Sequence, residues 1–112
     1  MTEVTDEYMK QMLTRAKTYT IVILQATPKR AEPGADATIW EHGRRNFSLR
    51  AEGILPIVCP VSDGTDTCGI GIFDADPERA RQIMEEDPGV RAGLFSYELH
   101  PGRGFPGSAL PA

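Results

Sequence analysis

The stretch ILPIVCPVSDGTDTCGIGIFD, residues 54–74, decides the fold. Two apolar segments, Ile54 to Val61 and Thr67 to Asp74, flank a polar segment, Ser62 to Asp66, that contains a glycine. This pattern is typical of a β-hairpin. The register that we predict sets apolar residues opposite one another, which makes the hairpin self-consistent. The predicted pairs are Cys59 with Cys68, Ile57 with Ile70, and Leu55 with Ile72.

The segments on either side of this hairpin are predicted to form two further strands and two helices. Tyr19 to Ala26 is rich in β-branched residues and predicts the first strand. A helix that Asp36 caps should follow it and end at Gly53. Beyond the hairpin, Asp76 and Pro77 begin another helix, and Leu94 to Leu99 forms the fourth strand. The order β-α-β-β-α-β predicts an α+β, ferredoxin-like sheet with helices on one face.

The chain of 112 residues is expected to form one domain with an extension at each end. Residues 1–18 should be an N-terminal helical extension with Thr5 as its N-cap. Residues 19–101 should form the ferredoxin-like domain. Residues 102–112 form a tail rich in proline and glycine, which we expect to be extended or loosely packed.

Side-chain alternation predicts what the two sheet faces carry. On the fourth strand, Phe95, Tyr97 and Leu99 should point to the helices, and Leu94, Ser96, Glu98 and His100 to the open face. On the hairpin, the expected open-face residues are Pro56, Val58, Gly69, Gly71 and Phe73. An open face that is partly apolar calls for a partner.

The helix that begins at Asp36 is expected to bury Trp40, Phe47 and Ala51. His42 is offset from Trp40 by well over a right angle around the helix axis. It is therefore predicted to lie on the helix flank, together with Asn46 and Leu49.

Composition and charge argue against several classes of protein. The net charge is −4, and no run of Lys or Arg exceeds two residues, so we expect no nucleic-acid partner. No apolar stretch approaches the roughly 20 residues that a membrane span requires. The N-terminus is acidic and polar, unlike a secretion signal, and predicts a cytoplasmic protein. In that compartment Cys59 and Cys68 are expected as two buried thiols rather than a disulfide.

Two residues are candidates for chemistry. Asp87 stands where an acidic helix, Pro77 to Glu86, must stop before Pro88. A carboxylate there either caps the turn or orients a histidine or a ligand. His42 is either a surface or structural residue, or a carrier of protons.

These residues lie in motifs that resemble the YciI-like (YCII-related) family over about residues 19–101. The motifs are Asp87-Pro88 followed by Ala92-Gly93, and His42 with Pro60 downstream. The resemblance implies that His42 and Asp87 form an active-site dyad. It also implies that two subunits pack sheet to sheet into a dimeric α/β barrel, so we expect a homodimer through the open sheet face. The chain departs from the family pattern at Gly43, where a leucine is typical.

A His–Asp pair without a nucleophile predicts proton transfer on a small-molecule ligand. Neither Ser96 nor Cys59 lies in a nucleophile-elbow motif. The expected reaction is of the lyase or isomerase type, and the resemblance to the YciI-like family implies that a dehydrochlorinase reaction is one form of it. The alternative is a non-catalytic ligand-binding or accessory module that uses the same cleft.

Three further residues are candidate substrate-binding groups: Arg44, Ser96 and Glu98. Arg44 could hold an anionic group or belong to a solvated helix face. Glu98 and His100 are expected either to complete a pocket or to pair across a dimer. We expect no metal, because no other Cys or His lies near the two cysteines, and no cofactor, because Gly69-Ile70-Gly71 lacks the rest of a phosphate loop.

Overall fold

Four strands and four helices follow one another along residues 1–112, which the computed structural model describes in full. They occur in the predicted order, and a short 3-10 helix, Pro28–Ala31, lies between the first strand and the second helix. The elements are α1 (Asp6–Arg15), β1 (Lys17–Ala26), α2 (Ala35–Ala51), β2 (Ile57–Pro60), β3 (Thr67–Phe73), α3 (Pro77–Glu85), α4 (Pro88–Arg91) and β4 (Phe95–Gly104).

The strands form one sheet in the order β2-β3-β1-β4, and all three neighbouring pairs are antiparallel. This confirms the α+β, ferredoxin-like fold. The hydrophobic core lies between the sheet and the helices α2 and α3, and it includes Val22, Leu24, Phe73, Ile83 and Phe95. We call this side of the sheet the helix face and the opposite side the open face.

The hairpin forms as predicted, but its register is shifted by two residues. Cys59 pairs with Ile70, and Ile57 pairs with Ile72. Leu55 takes no part in the ladder, because it turns into the core, where it is only 4% exposed. Both cysteines are free thiols, and Cys59 is exposed. The expectation of two buried thiols is therefore wrong, since Cys59 is exposed and Cys68 is only half-buried.

The two faces of the hairpin are the reverse of the prediction. Val22 on the helix face pairs with Gly71, and Thr20 pairs with Phe73, which is completely buried. Val58 pairs with Gly71 and packs against the same core. The glycines therefore lie under the helices, where their missing side chains leave room for a cavity. The open face carries a set of isoleucines, namely Ile21, Ile23, Ile57, Ile70 and Ile72.

Helix α2 presents a different side to the sheet from the one that we predicted. Trp40 is 70% exposed and Phe47 66% exposed, while His42 is buried. The inward residues recur at helical spacing: Ala35, Ile39, His42, Asn46 and Leu49. His42 does share a side with Asn46 and Leu49, but that side faces the core. The burial of a polar residue is tolerated here because His42 finds a hydrogen-bond partner.

The fourth strand confirms the predicted alternation from Phe95 onward and extends beyond its predicted end, whereas Leu94, expected on the open face, precedes the strand and is buried in the core. Phe95 is buried, and Tyr97 and Leu99 pack against the core. Strand β4 continues past Leu99 to Gly104 in a ladder with β1. Pro101 is accommodated because β4 is an edge strand.

Helix α1 has the predicted N-cap, since the Thr5 side chain accepts a hydrogen bond from the Tyr8 backbone N–H at 3.1 Å. Helix α1 buries none of its residues. None of the helices is both long enough and apolar enough to cross a membrane.

Candidate functional site

The junction between α3 and α4 fixes the Asp87 carboxylate. Pro88 begins α4, and Asp87 is its N-cap. Its Oδ2 accepts hydrogen bonds from the backbone N–H groups of Gly89 and Val90, at 2.9 and 3.1 Å. A Cβ at Gly89 would lie 2.5 Å from the Phe95 ring, so only glycine fits this turn without displacing Phe95. The side chain that carries this carboxylate is 1% exposed.

The same carboxylate meets His42 from α2. The Nδ1 atom of His42 lies 2.8 Å from both carboxylate oxygens of Asp87. The imidazole packs at a tilt against the Phe95 ring, with 4.7 Å between the ring centroids. The structure thus brings together the two residues of the predicted dyad, and Asp87 caps the turn as well.

Asn46, one helical turn after His42, completes a chain of hydrogen bonds. Its Nδ2 lies 3.2 Å from Nε2 of His42. When Nδ1–H donates to the carboxylate, Nε2 carries the lone pair and accepts from the Asn46 amide. No buried polar side-chain atom of the protein lacks a hydrogen-bond partner. In that tautomer, Nε2 is the nitrogen that can accept a proton.

The electrostatics around Asp87 favour its charged form. Burial by itself raises the pKa of the Asp87 carboxyl. The hydrogen bond and charge of His42, the Val90 N–H and the Arg45 guanidinium together outweigh burial and hold this pKa below its ordinary value of 3.8. Arg45 contributes from 3.8 Å, the distance between its Nη1 and Oδ1 of Asp87. Asp87 is therefore an anion at neutral pH.

His42 and Asn46 form one wall of a cavity of about 320 Å³ between α2 and the sheet. Its roof is a stripe of α2 at helical spacing: Ile39, His42, Gly43, Asn46, Phe47 and Arg50. Its floor includes Gly69 and Gly71 of β3. Arg30 and Arg50 are the permanently charged residues that line it. Burial raises the pKa of the nearby Cys68 thiol, and the Arg30 charge opposes this shift.

The residues predicted to bind substrate lie elsewhere. Arg44 is exposed, and its Nε donates to Glu41 at 3.2 Å on the outer side of α2. Ser96 and Glu98 are exposed on the open face of β4, where Glu98 accepts from His100 at 3.1 Å. The structure does not bring these three residues to the dyad cavity.

Sequence reasoning missed Arg30, Arg50 and the contact of Asn46 with His42. The signal for Asn46 and Arg50 was their spacing from His42, by four and eight residues along one helix. No sequence pattern pointed to Arg30, because β1 and the 3-10 helix bring it to the cavity. The His, Cys, Asp and Glu side chains form no group of three that could hold a metal ion.

No protein-family model and no curated protein match this chain. Among solved structures, it is similar to 5-chloro-2-hydroxyhydroquinone dehydrochlorinase from Burkholderia phenoliruptrix AC1100, in complex with 2,5-dihydroxybenzoquinone. That similarity covers 73% of this chain and 90% of the other, with a TM-score of 0.49 and 17% sequence identity. The function of this chain is therefore inferred from its own side chains.

Proposed function

We propose that this protein is a YciI-like acid–base enzyme that acts on a small molecule by a lyase or isomerase step, with His42 and Asp87 as its catalytic dyad. The observation that carries the proposal is the chain of hydrogen bonds from Asp87 through His42 to Asn46 at the wall of a cavity. A carboxylate that holds one imidazole nitrogen makes the other nitrogen a better base.

The proposed step is a proton abstraction by Nε2 of His42. The electron pair of the broken C–H or O–H bond forms a new double bond in the substrate. In an elimination, a leaving group such as chloride then departs with its own electron pair. The imidazolium that results is stabilised by the Asp87 anion, which stays ionised because its pKa is low. In an isomerisation, the same proton returns from Nε2 to another atom of the substrate.

Asn46 has to move during this step. In the free protein its amide Nδ2–H faces the lone pair that accepts the proton. When Nε2 becomes protonated, the Asn46 amide must turn so that its Oδ1 accepts from the new N–H. Asn46 is therefore a positioning residue that distinguishes the two protonation states of His42.

A proton-exchange screen tests the proposal. Small ketones with acidic C–H bonds and chlorinated hydroquinones are incubated with the protein in D₂O, and NMR records deuterium uptake while an electrode records chloride release. We expect His42→Ala and Asp87→Asn to reduce the rate of any reaction found by about 100-fold or more. His100→Ala, which changes an exposed histidine, is the matched control and should retain the rate. An unchanged rate in His42→Ala would remove the dyad from the mechanism, and binding without turnover would favour the accessory module.

A measurement without substrate tests the geometry of the pair. We expect ¹⁵N NMR of the ring nitrogens to place the proton of neutral His42 on Nδ1. In Asp87→Asn, the Gly89 and Val90 N–H groups keep the amide oxygen, so the amide NH₂ faces Nδ1 and moves the ring proton to Nε2. If the ring has the same tautomer in both proteins, Asp87 does not control His42.

We also propose that the protein is a homodimer that packs through its open sheet face. The face carries a set of isoleucines, and Ile70 is 41% exposed although large and apolar. Ile70→Lys should convert a dimer into a folded monomer in light scattering, whereas Thr65→Lys in the hairpin turn should leave the mass unchanged. A monomeric wild-type protein would contradict this proposal.

A further inference from the structure

We propose that the ligand of this cavity is a flat, mostly apolar molecule that bears one anionic group, as an aromatic carboxylate does, and that Arg50 holds the anion while Arg30, beside the other end of α2, adds to the positive charge of the cavity. This inference rests on the proposed function in one respect, since it assigns a ligand class to the cavity beside the dyad. It makes no use of the substrate-binding residues predicted from the sequence.

The charge of the cavity points to an anion. No carboxylate lines it, although the chain as a whole has a net charge of −4. Arg30 and Arg50 approach it from two separate elements, the 3-10 helix and the end of α2. Neither guanidinium takes part in an ion pair, whereas Arg44, Arg45 and Arg81 do. Two unpaired guanidinium groups offer planar donors that match a carboxylate.

The walls of the cavity point to a flat apolar body. Gly69 and Gly71 give the floor a stretch of bare backbone, which Val22 and Leu24 flank. Gly43 in the roof is an interior helix residue, and a Cβ built there meets no atom within 4 Å. Alanine would fit this position and favour the helix, so glycine here preserves open space rather than relieving a clash. A ring between the floor and Gly43 uses that space.

The positions of the charged groups suggest the length of the ligand. Arg50 follows His42 by eight residues, which is about 12 Å along the helix axis at about 1.5 Å per residue. An anion held at Arg50 and a reacting atom at His42 therefore lie at opposite ends of the ligand. A molecule of about two rings spans that distance. A cavity of about 320 Å³ lies within the ordinary size range of small-molecule sites.

The test compares two probes of the same shape, 2-naphthoate, which is anionic at neutral pH, and 2-naphthamide, which is neutral. Calorimetry measures their dissociation constants for the full-length protein at low salt. We expect 2-naphthoate to bind about 10-fold more tightly than the amide. In the double variant Arg30→Gln/Arg50→Gln this preference should fall to about twofold or less. Arg79→Gln, which removes an exposed arginine of α3, is the control and should keep the full preference.

Several outcomes would overturn the inference. Equal binding of the two probes would do so, as would a lack of 2-naphthoate binding at millimolar concentration or a preference that survives in the double variant. These results are independent of turnover. Loss of the preference in the double variant, together with an unchanged reaction rate in His42→Ala, would support the ligand class and reject the dyad. A preference that survives in the double variant, together with a reduced reaction rate in His42→Ala, would retain the dyad and reject the ligand class.

Discussion

Two histidine–carboxylate pairs lie on opposite sides of the sheet, and they differ in their surroundings. His42 and Asp87 on the helix face are separated by 2.8 Å, with side chains 11% and 1% exposed. His100 and Glu98 on the open face are separated by 3.1 Å, with side chains 55% and 61% exposed. The chemical groups are nearly the same in both pairs. Water competes for the hydrogen bond between His100 and Glu98, whereas it is largely excluded from the one between His42 and Asp87.

This difference shows that the environment of a pair decides how firmly its geometry is held. Asp87 is oriented by two backbone N–H groups in addition to His42, so both of its oxygens have fixed partners. Glu98 and His100 are two residues apart on one strand, and nothing else in the protein orients them. An exposed pair of this kind contributes little to stability. The buried pair can hold one tautomer of histidine, which acid–base chemistry requires.

The largest effect should come from removing the buried carboxylate. We expect Asp87→Ala to lower the free energy of unfolding by about 2–4 kcal/mol, because it removes an N-cap and leaves the Nδ1–H of His42 without a partner. The matched change on the open face, Glu98→Ala, should stay within about 0.5 kcal/mol. Urea denaturation at a fixed protein concentration measures both. Similar losses of unfolding free energy in the two variants would mean that burial does not make the two pairs differ in their contribution to stability.

The pH dependence of stability separates the charge of Asp87 from its shape. Its folded pKa is lowered, so the anion stabilises the fold above the ordinary value of 3.8, and this contribution is lost as the pH falls through the folded value. Asp87→Asn keeps the cap but cannot ionise. The stability difference between wild type and Asp87→Asn should therefore be largest near neutral pH and should shrink below pH 3.8. Urea titrations across this range measure it, and a constant difference at all pH values would contradict it.

A change on the floor of the cavity should have an intermediate effect. A Cβ at Gly71 would lie 3.0 Å from Val22 and 3.1 Å from Leu55, whereas one at Gly69 would lie 3.6 Å from Leu24, an ordinary contact. We expect Gly71→Ala to cost about 1–2 kcal/mol from overpacking. Gly69→Ala should stay within about 0.5 kcal/mol. Thermal unfolding compares the two variants. Equal melting temperatures would mean that the protein is not packed more closely around Gly71 than around Gly69.

The sequence was sufficient to predict the fold and the contact between His42 and Asp87, but not the sheet and helix faces on which residues lie. Strand and helix periodicity, together with turn residues, predicted every element of the βαββαβ order. The motifs around His42 and Asp87 led to a pair that the structure brings together. The hydrophobic pattern predicted the wrong inward side of α2. Trp40 and Phe47 recur at helical spacing but are exposed, while the side that faces the core carries His42 and Asn46.

The same reasoning misplaced the hairpin. Side-chain alternation grouped Gly69, Gly71 and Phe73 correctly on one face, but we predicted the open face for them, whereas the structure buries all three at least in part. A cavity for a ligand reverses the usual rule, since small and polar residues must face inward to form it. No local pattern in one sequence contains that information, because the space is defined by elements far apart in the chain.

The smallest effect is expected at Gly43, and its sign distinguishes a requirement of folding from one of binding. A Cβ at this position meets no neighbour within 4 Å, so Gly43→Ala should raise the free energy of unfolding by about 0.5–1 kcal/mol through helix propensity. The added methyl group enters the cavity, so the same variant should bind 2-naphthoate several-fold more weakly. Gly43→Ser is the companion variant, because it adds a similar bulk with a poorer helix former and should weaken binding with little gain in stability. Urea denaturation and calorimetry on the same samples measure the two effects. A variant that is more stable and binds equally well would mean that ligands do not reach Gly43, and a destabilised variant would mean that glycine is needed there by the fold.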